Sequence, residues 1–495
     1  MIFFPFFGAL LQAFLPDRGK IRVARTMAFG ASLISGFLGL VLVANMHAQM
    51  PELQFNEILP WIGSYAITYD LGVDGLNATV LLLISILFPL VMASEWSQKH
   101  GARGMGALFL LLQGSFVGAV CAQDLFLQFF FWAFTGIPIY FLVGIWGGEG
   151  KERASFRAIV TSSIGNVLLF AAMILIYYSV DPHTFSLREL AGGKLAGRFF
   201  EIFGASVPVS GLASILISLG LALRAPIWPF HGWFTEVAEE APASVFVVVS
   251  SVTLSVASYI FIRLSYTLFP EILVSVAPAI VTVGLINLIV GGICAVAQTD
   301  LKLLIAFASL SQVGLVLIGA GSLSPAGVVG AVYLQLCFGL AIAGFGLFSG
   351  LISKRIGSSK FLGKDHEKLF SGLANPAPAI AVFAGLMMAS LLGFPAMGGF
   401  VGAALVIIGS YSMHPVVVLL SGAAMLLTTY YLLTMYKNVF FGKTSGGFQD
   451  FTDLNLTEKA YLLPIVGTLL ILGLYPRPFL ELVRPTVLTL LSSIK

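Results

Sequence analysis

Charge is what this sequence has least of. Asp, Glu, Lys and Arg make up 10% of its 495 residues, against 58% hydrophobic residues and a mean hydropathy of +0.97. A soluble domain carries about 25% charged residues, so a water-soluble globular protein is excluded. Period-two alternation is also missing. The apolar runs are continuous, which argues against a transmembrane barrel. Cysteine is rare: Cys121, Cys294 and Cys337 stand singly in apolar runs, with no CxxC and no ligand-like spacing. They read as small core residues, and no metal site is expected. No glycine-rich nucleotide loop follows a strand pattern, and no haem or iron–sulfur motif occurs. The chain is therefore expected to hold no cofactor and no catalytic redox site. Its 26 basic and 23 acidic residues, net +3, form no basic patch, which excludes nucleic acid as a partner. The N-terminal apolar stretch lacks a positive n-region and a small-residue cleavage site, so it reads as a retained first span.

What is present is a series of long apolar runs. They fall near residues 1–15, 26–46, 76–94, 105–120, 123–146, 157–180, 208–229, 243–268, 272–297, 302–320, 325–353, 376–411, 415–437 and 460–493. A span needs about 20 apolar residues, so the pattern predicts an all-α polytopic membrane protein of about 14 transmembrane helices. The last run is long enough for a span plus a surface-lying tail helix. Loop charges alternate. Arg18, Lys20, Arg22 and Arg25 follow the first run, whereas 47–75 holds no Lys or Arg and carries Glu52, Glu57, Asp70 and Asp74. Basic residues return at Lys99 and Arg103, at Lys151, Arg153 and Arg157, and at Lys354, Arg355, Lys360, Lys364 and Lys368. The positive-inside rule puts these basic loops in the cytoplasm and both termini outside.

Two runs are interrupted by proline, one at Pro226 and Pro229, the other at Pro395. Proline removes a helical hydrogen bond, and in lipid the freed groups are tolerated only against protein or a wet cavity. Paired broken helices in matching halves of a chain point to a transport pathway. Pro226 and Pro395 are 169 residues apart, which suggests two five-helix repeats, 105–268 and 269–437. An N-terminal unit (1–104) precedes them, and a C-terminal loop, helix and tail (438–495) follow. The alternative is that the prolines merely kink two packing helices.

A few polar residues could carry chemistry. Arg224 stands two residues before Pro226 in an apolar run. An intramembrane cation is a functional hypothesis by default, although it can also snorkel or pair with a helix-end carbonyl. His231, Trp233, Glu236, Glu239 and Glu240 follow; Glu236 and Glu240 share a helical face, where like charges would weaken one ionisation if buried. A solvated loop explains them equally well. Asp300 and Lys302 flank the start of the next run, and Ser309, Ser311 and Gln312 within it can line a wet path or serve as interhelical glue. Asp124 reads as a helix N-cap.

Tyr69–Gly75, Phe130–Trp132, Pro138–Gly147, Pro229–Trp233, Ala241-Pro242, Asp300–Lys302 and Phe400–Gly402 together resemble the antiporter-like membrane subunits of respiratory complex I (NADH:quinone oxidoreductase), in particular the M, or chain-4, type. The resemblance runs in order along essentially the whole chain. It implies fourteen helices, two inverted five-helix repeats with broken helices seven and twelve, and a bacterial inner-membrane location. It also implies a proton-translocating assembly in which other membrane-arm subunits are partners and other subunits bind quinone and NADH. The family's pathway residues are replaced here. Its helix-five glutamate is Ala133, its broken-helix lysine is Arg224, and its helix-eight lysine is Ser255. Two histidines are Gln312 and Phe338, and the helix-twelve glutamate is Ala403. This predicts a weakly pumping or non-pumping subunit. The alternatives are a rerouted path through Asp300, Lys302, His231 and Glu236, or a subunit of an Mrp-type cation/proton antiporter or a membrane-bound hydrogenase.

Overall fold

A computed structural model describes residues 1–14, 21–96, 101–202, 205–363, 368–443 and 451–494. Arg18, Lys20, Lys99 and Lys364 of the basic loops lie outside the described residues. The helices are α1 (Phe3–Ala13), α2 (Ile21–Ala44), α3 (Gly75–Ser94), α4 (Ala102–Cys121), α5 (Leu125–Trp146) and α6 (Lys151–Ser179). Then come α7 (Val209–Arg224), α8 (Gly232–Glu240), α9 (Ala243–Leu268), α10 (Pro270–Val296), α11 (Leu301–Gly321) and α12 (Pro325–Ile356). The chain ends with α13 (Pro378–Leu391), α14 (Gly398–Tyr411), α15 (Pro415–Phe440), α16 (Leu456–Leu474) and α17 (Arg477–Ser492). Among the described residues, eleven helices are long and apolar enough to cross a membrane; α1, α7, α13 and α14 are apolar but shorter.

The core is built around α12, whose most apolar stretch is wholly buried, with α9, α11 and α3 packed against it. The helices α2, α6 and α15 form an outer layer and leave most of their apolar side chains facing outward. In a bilayer this inversion is expected, because lipid is as apolar as the protein interior and close packing holds the helices together. At one crossing, between α10 and α11, the backbones touch. A Cβ on Gly314 would sit 2.4 Å from the Gly284 carbonyl oxygen and 2.5 Å from the Leu288 nitrogen. Gly314→Ala is therefore expected to cost about 1–3 kcal/mol of overpacking, read as a lower unfolding temperature of the purified protein. An unchanged transition would show that these helices separate freely.

The 47–75 segment departs from a purely helical reading. It folds as an antiparallel hairpin of β1 (Gln54–Ile62) and β2 (Ile67–Val73), pairing Glu57 with Leu71 and Leu59 with Tyr69. Branched and aromatic residues suit that pleated surface. A second short hairpin, β3 (Phe199–Ile202) with β4 (Ala205–Pro208), precedes α7. The final apolar run divides at Pro476 into α16 and the tail helix α17, which packs on α3 and α12.

Loop contacts sort into two ends. At one, Gly148 donates to the Glu240 carbonyl (2.9 Å), Lys302 to the Ala241 carbonyl (2.9 Å), and Lys354 to the Ser94 carbonyl (3.3 Å), while Arg355 pairs with Glu458 (2.5 Å). The other end holds the first hairpin, the 180–190 loop and α17. There Gln123 donates to the Asp70 carbonyl (2.9 Å) and Gly75 to Thr486 Oγ1 (3.2 Å). Asp124 caps α5 by accepting from the Phe126 and Leu127 amides, as its position in the sequence suggested. Burial raises the Asp70 carboxyl pKa, and Arg188, 2.9 Å away, opposes that shift.

Candidate functional site

Helix α7 stops at Arg224 because Ala225 is extended, and residues 225–231 carry Pro226 and Pro229 before α8 resumes at Gly232. The polar groups exposed by the break find partners inside the protein. Trp233 Nε1 donates to the Leu223 carbonyl (2.8 Å), and the Trp228 amide donates to Asn287 Oδ1 on α10 (2.8 Å). The second interruption, at 392–397 around Pro395, separates α13 from α14.

At the first break Arg224 turns inward and is only 2% exposed. Its Nη1 donates to the Trp132 carbonyl (2.8 Å) and to Asn166 Oδ1 (3.0 Å), and its Nη2 donates to Thr135 Oγ1 (2.5 Å). The guanidinium lies 4.1 Å from the Trp132 ring centroid. The Trp132 carbonyl is reachable because α5 is irregular at Thr135, just before Gly136 and Pro138. Asn166 is brought close by small residues, since Gly165 of α6 and Gly220 of α7 touch backbone to backbone. Among the described residues no carboxylate lies within 4.0 Å of Arg224. The charge is held by three neutral oxygens and an aromatic face. Ala133, its half-buried neighbour on α5, offers only a methyl group.

A second polar place lies between α9, α11 and α12. A cavity of about 20 Å³ is lined by Ser255, Gln312, Phe338 and Gln335, together with serines of α9 and α11. That is room for one or two waters. The α9 backbone is π-helical over Val248–Thr253. Every lining serine donates to a backbone carbonyl: Ser250 and Ser251 to Val247, Ser255 to Gln335, Ser258 to Leu254 and Ser309 to Ile305. Their lone pairs remain for the cavity. Gln335 is 3% exposed, and among the described residues neither side-chain amide atom has a hydrogen-bond partner. Ser311 instead donates across to the Leu288 carbonyl (3.0 Å), which is the glue role. Neither Arg224 nor Ala403 lines this cavity.

The remaining candidates stay apart. Glu236 pairs with Arg157 and, at 3.4 Å, with Arg153, while Glu240 Oε2 accepts from the Gly150 amide (2.9 Å). The two carboxylates therefore find separate partners. Asp300 acts as a cap: Oδ1 accepts from the Lys302 and Leu303 amides and Oδ2 from Ser359 (2.5 Å). Lys302 turns to the Ala241 carbonyl, not to Asp300. His231 is half-buried, stacked edge-on to Phe307, with Nδ1 unpartnered.

Residues 122–428 match the family described as NADH:quinone oxidoreductase/Mrp antiporter, transmembrane. The chain belongs to this family. It is 30% identical to NAD(P)H-quinone oxidoreductase chain 4 2 of Thermosynechococcus vestitus, over 96% of this chain and 87% of that one. It is 29% identical to NADH-quinone oxidoreductase subunit M of Escherichia coli K12, over 97% and 95%. Two solved assemblies contain a chain of the same fold. Respiratory complex I from Thermus thermophilus gives a TM-score of 0.87 at 24% identity, covering 100% of this chain and 99% of that one. The Mrp complex from Dietzia gives 0.86 at 20% identity, covering 100% and 98%. The chain is an integral membrane protein, and both of these structural relatives are multi-subunit membrane complexes.

Seen as an NADH:quinone oxidoreductase/Mrp antiporter family member, the chain brings Ser255, Gln312 and Phe338 to one cavity and keeps Arg224 with Trp132 and Thr135 in another place. Sequence reasoning missed the arginine's holders, although Thr135 is an isolated polar residue in an apolar run; Asn166, close behind Thr161, Ser162 and Ser163, stands out less. It also missed a buried ion pair. Arg263 of α9 lies 2.5 Å from Asp74, with the two residues 6% and 2% exposed. Its signal was a second arginine inside the 243–268 run.

Proposed function

We propose that this chain is a membrane-arm subunit of a complex I-like NADH:quinone oxidoreductase, packed against other membrane-arm subunits, with quinone and NADH bound elsewhere, and that its own proton channel is closed. One observation carries the second half: Arg224 is buried on neutral oxygens where a relay would need a titrating group beside a carboxylate. Lysine relays work because burial and a nearby acid move the lysine pKa. Arginine keeps its proton, and a fixed cation repels protons in a pore.

The membrane in question is a bacterial inner membrane, with the basic loops inside and both termini outside. The gathering of Lys151, Lys302, Lys354 and Arg355 at one end supports that orientation. The repeats 105–268 and 269–437 are supported by matching caps, since α5 opens on Asp124 and α11 on Asp300, each accepting from the two following turn amides.

The test is the proton-to-electron ratio of the intact assembly in liposomes. Arg224→Met is expected to leave the ratio unchanged, and a fall with assembly intact would overturn the closed channel. The serine and glutamine cavity favours a second reading, a rerouted wet path. If that path operates, Gln335→Leu lowers the ratio; under the closed-channel reading it does not.

A further inference from the structure

We propose that a phospholipid acyl chain occupies the outward-facing groove between α7, the helix break, α9 and α10, and that it backs the side-chain layer between that groove and the polar cavity. The groove has a volume of about 490 Å³ and opens on one side. Ile215 and Leu219 of α7, Trp228 and Phe230 of the break, and Val283 of α10 form its outer walls, all well exposed. None of its lining residues is ionisable. Its polar groups are a few serine hydroxyls and the Trp228 indole, which leaves no anchor for a charged ligand.

The occupant follows from place and size. The walls belong to apolar helices of a membrane-spanning chain, and within hydrocarbon no water is available to fill a gap. Walls without a partner would forfeit their dispersion contacts. A helix of a neighbouring subunit is about 10–12 Å across, so the groove would admit only about one turn of it. The same volume lies within the roughly 300–1,000 Å³ range of small-ligand pockets and suits a single flexible chain. Its floor gives it a consequence. Ser258 and Val313 line both this groove and the small polar cavity with the unpartnered Gln335. One layer of side chains separates lipid from that cavity, and a seated chain backs that layer. The inference stands on the groove and holds whether or not the proton channel is closed.

The purified assembly in vesicles of phosphatidylcholine carrying a photoreactive acyl chain tests it. After exchange with excess unlabelled lipid, adducts are mapped by peptide mass spectrometry. Label is expected to persist on Phe261 and Val276 inside the groove and to wash out from Phe156 and Val167, exposed apolar residues of α6. Filling the groove with Ala279→Trp, or with Val283→Trp should the first fail to assemble, is expected to bring the groove label down to the α6 level. Groove label that exchanges as fast as on α6, or that ignores both variants, overturns the proposal. So does recovery of an isoprenoid quinone in place of phospholipid.

Discussion

Asp74→Ala is expected to lower stability by about 3–5 kcal/mol, the usual cost of stranding one member of a buried ion pair. Arg263 would keep its charge at 6% exposure, left among the described residues with Tyr259, whose hydroxyl lies 3.4 Å away and whose ring centroid lies 5.6 Å away. Asp74 has a second task, because its carboxylate caps α3 by accepting from the Leu76 and Asn77 amides, while its own amide donates to Asn77 Oδ1. Losing a cap of this kind costs about 1 kcal/mol. Asp74→Asn keeps an oxygen for the cap while removing the charge, so it should fall between wild type and Asp74→Ala. Combining Asp74→Asn with Arg263→Met should recover most of the loss, since a packed apolar pair often replaces a buried ion pair without penalty. Thermal unfolding in detergent and the yield of assembled complex measure all of these. A near-native Asp74→Ala would show that the pair contributes nothing, and failure of the double variant to recover would mean that Arg263 is needed beyond neutralising Asp74.

Thr135→Val and Asn166→Leu are each expected to cost about 1.5–3 kcal/mol, the range for hydrogen bonds to charged groups. The reason is that Arg224 has no carboxylate within 4.0 Å among the described residues to fall back on. Together they leave the guanidinium with the Trp132 carbonyl and ring alone. In an Arg224→Met background the same two changes should cost far less, because no charge remains to be solvated. That non-additivity, a coupling of the size seen between contacting residues, is the signature of an arginine held for its own sake. Purely additive losses would sink the idea that these groups act on Arg224. Arg224→Lys sharpens the test. A compact ammonium cannot reach three acceptors and also stack on the ring, and unlike guanidinium it sheds its proton readily when buried. The lysine variant should therefore be less stable than wild type.

Some features could be read residue by residue. Hydropathy is a property of each stretch by itself, so the membrane class and the apolar runs were legible, and Asp124 could be recognised as a cap because its partners are two and three residues away. The prolines at 226, 229 and 395 coincide with the two interruptions because the defect they introduce is local. The hairpin at 54–73 was missed, since a short strand pair among long helices carries a weak signal next to an absence of basic charge. Asp300, a candidate for a rerouted path, has its carboxylate on the first amides of its own helix and on Ser359.

The sequence by itself determined that this protein lives in a membrane and where its helices are interrupted. Only the tertiary structure decided what surrounds the charges that remain. Arg224 meets Trp132 and Asn166 across 92 and 58 residues, and Arg263 meets Asp74 across 189. Which distant segments meet depends on how helices pack, through contacts such as Gly165 against Gly220. A buried charge is governed by whatever lies within a few ångströms of it, and that neighbourhood exists only once the chain has folded.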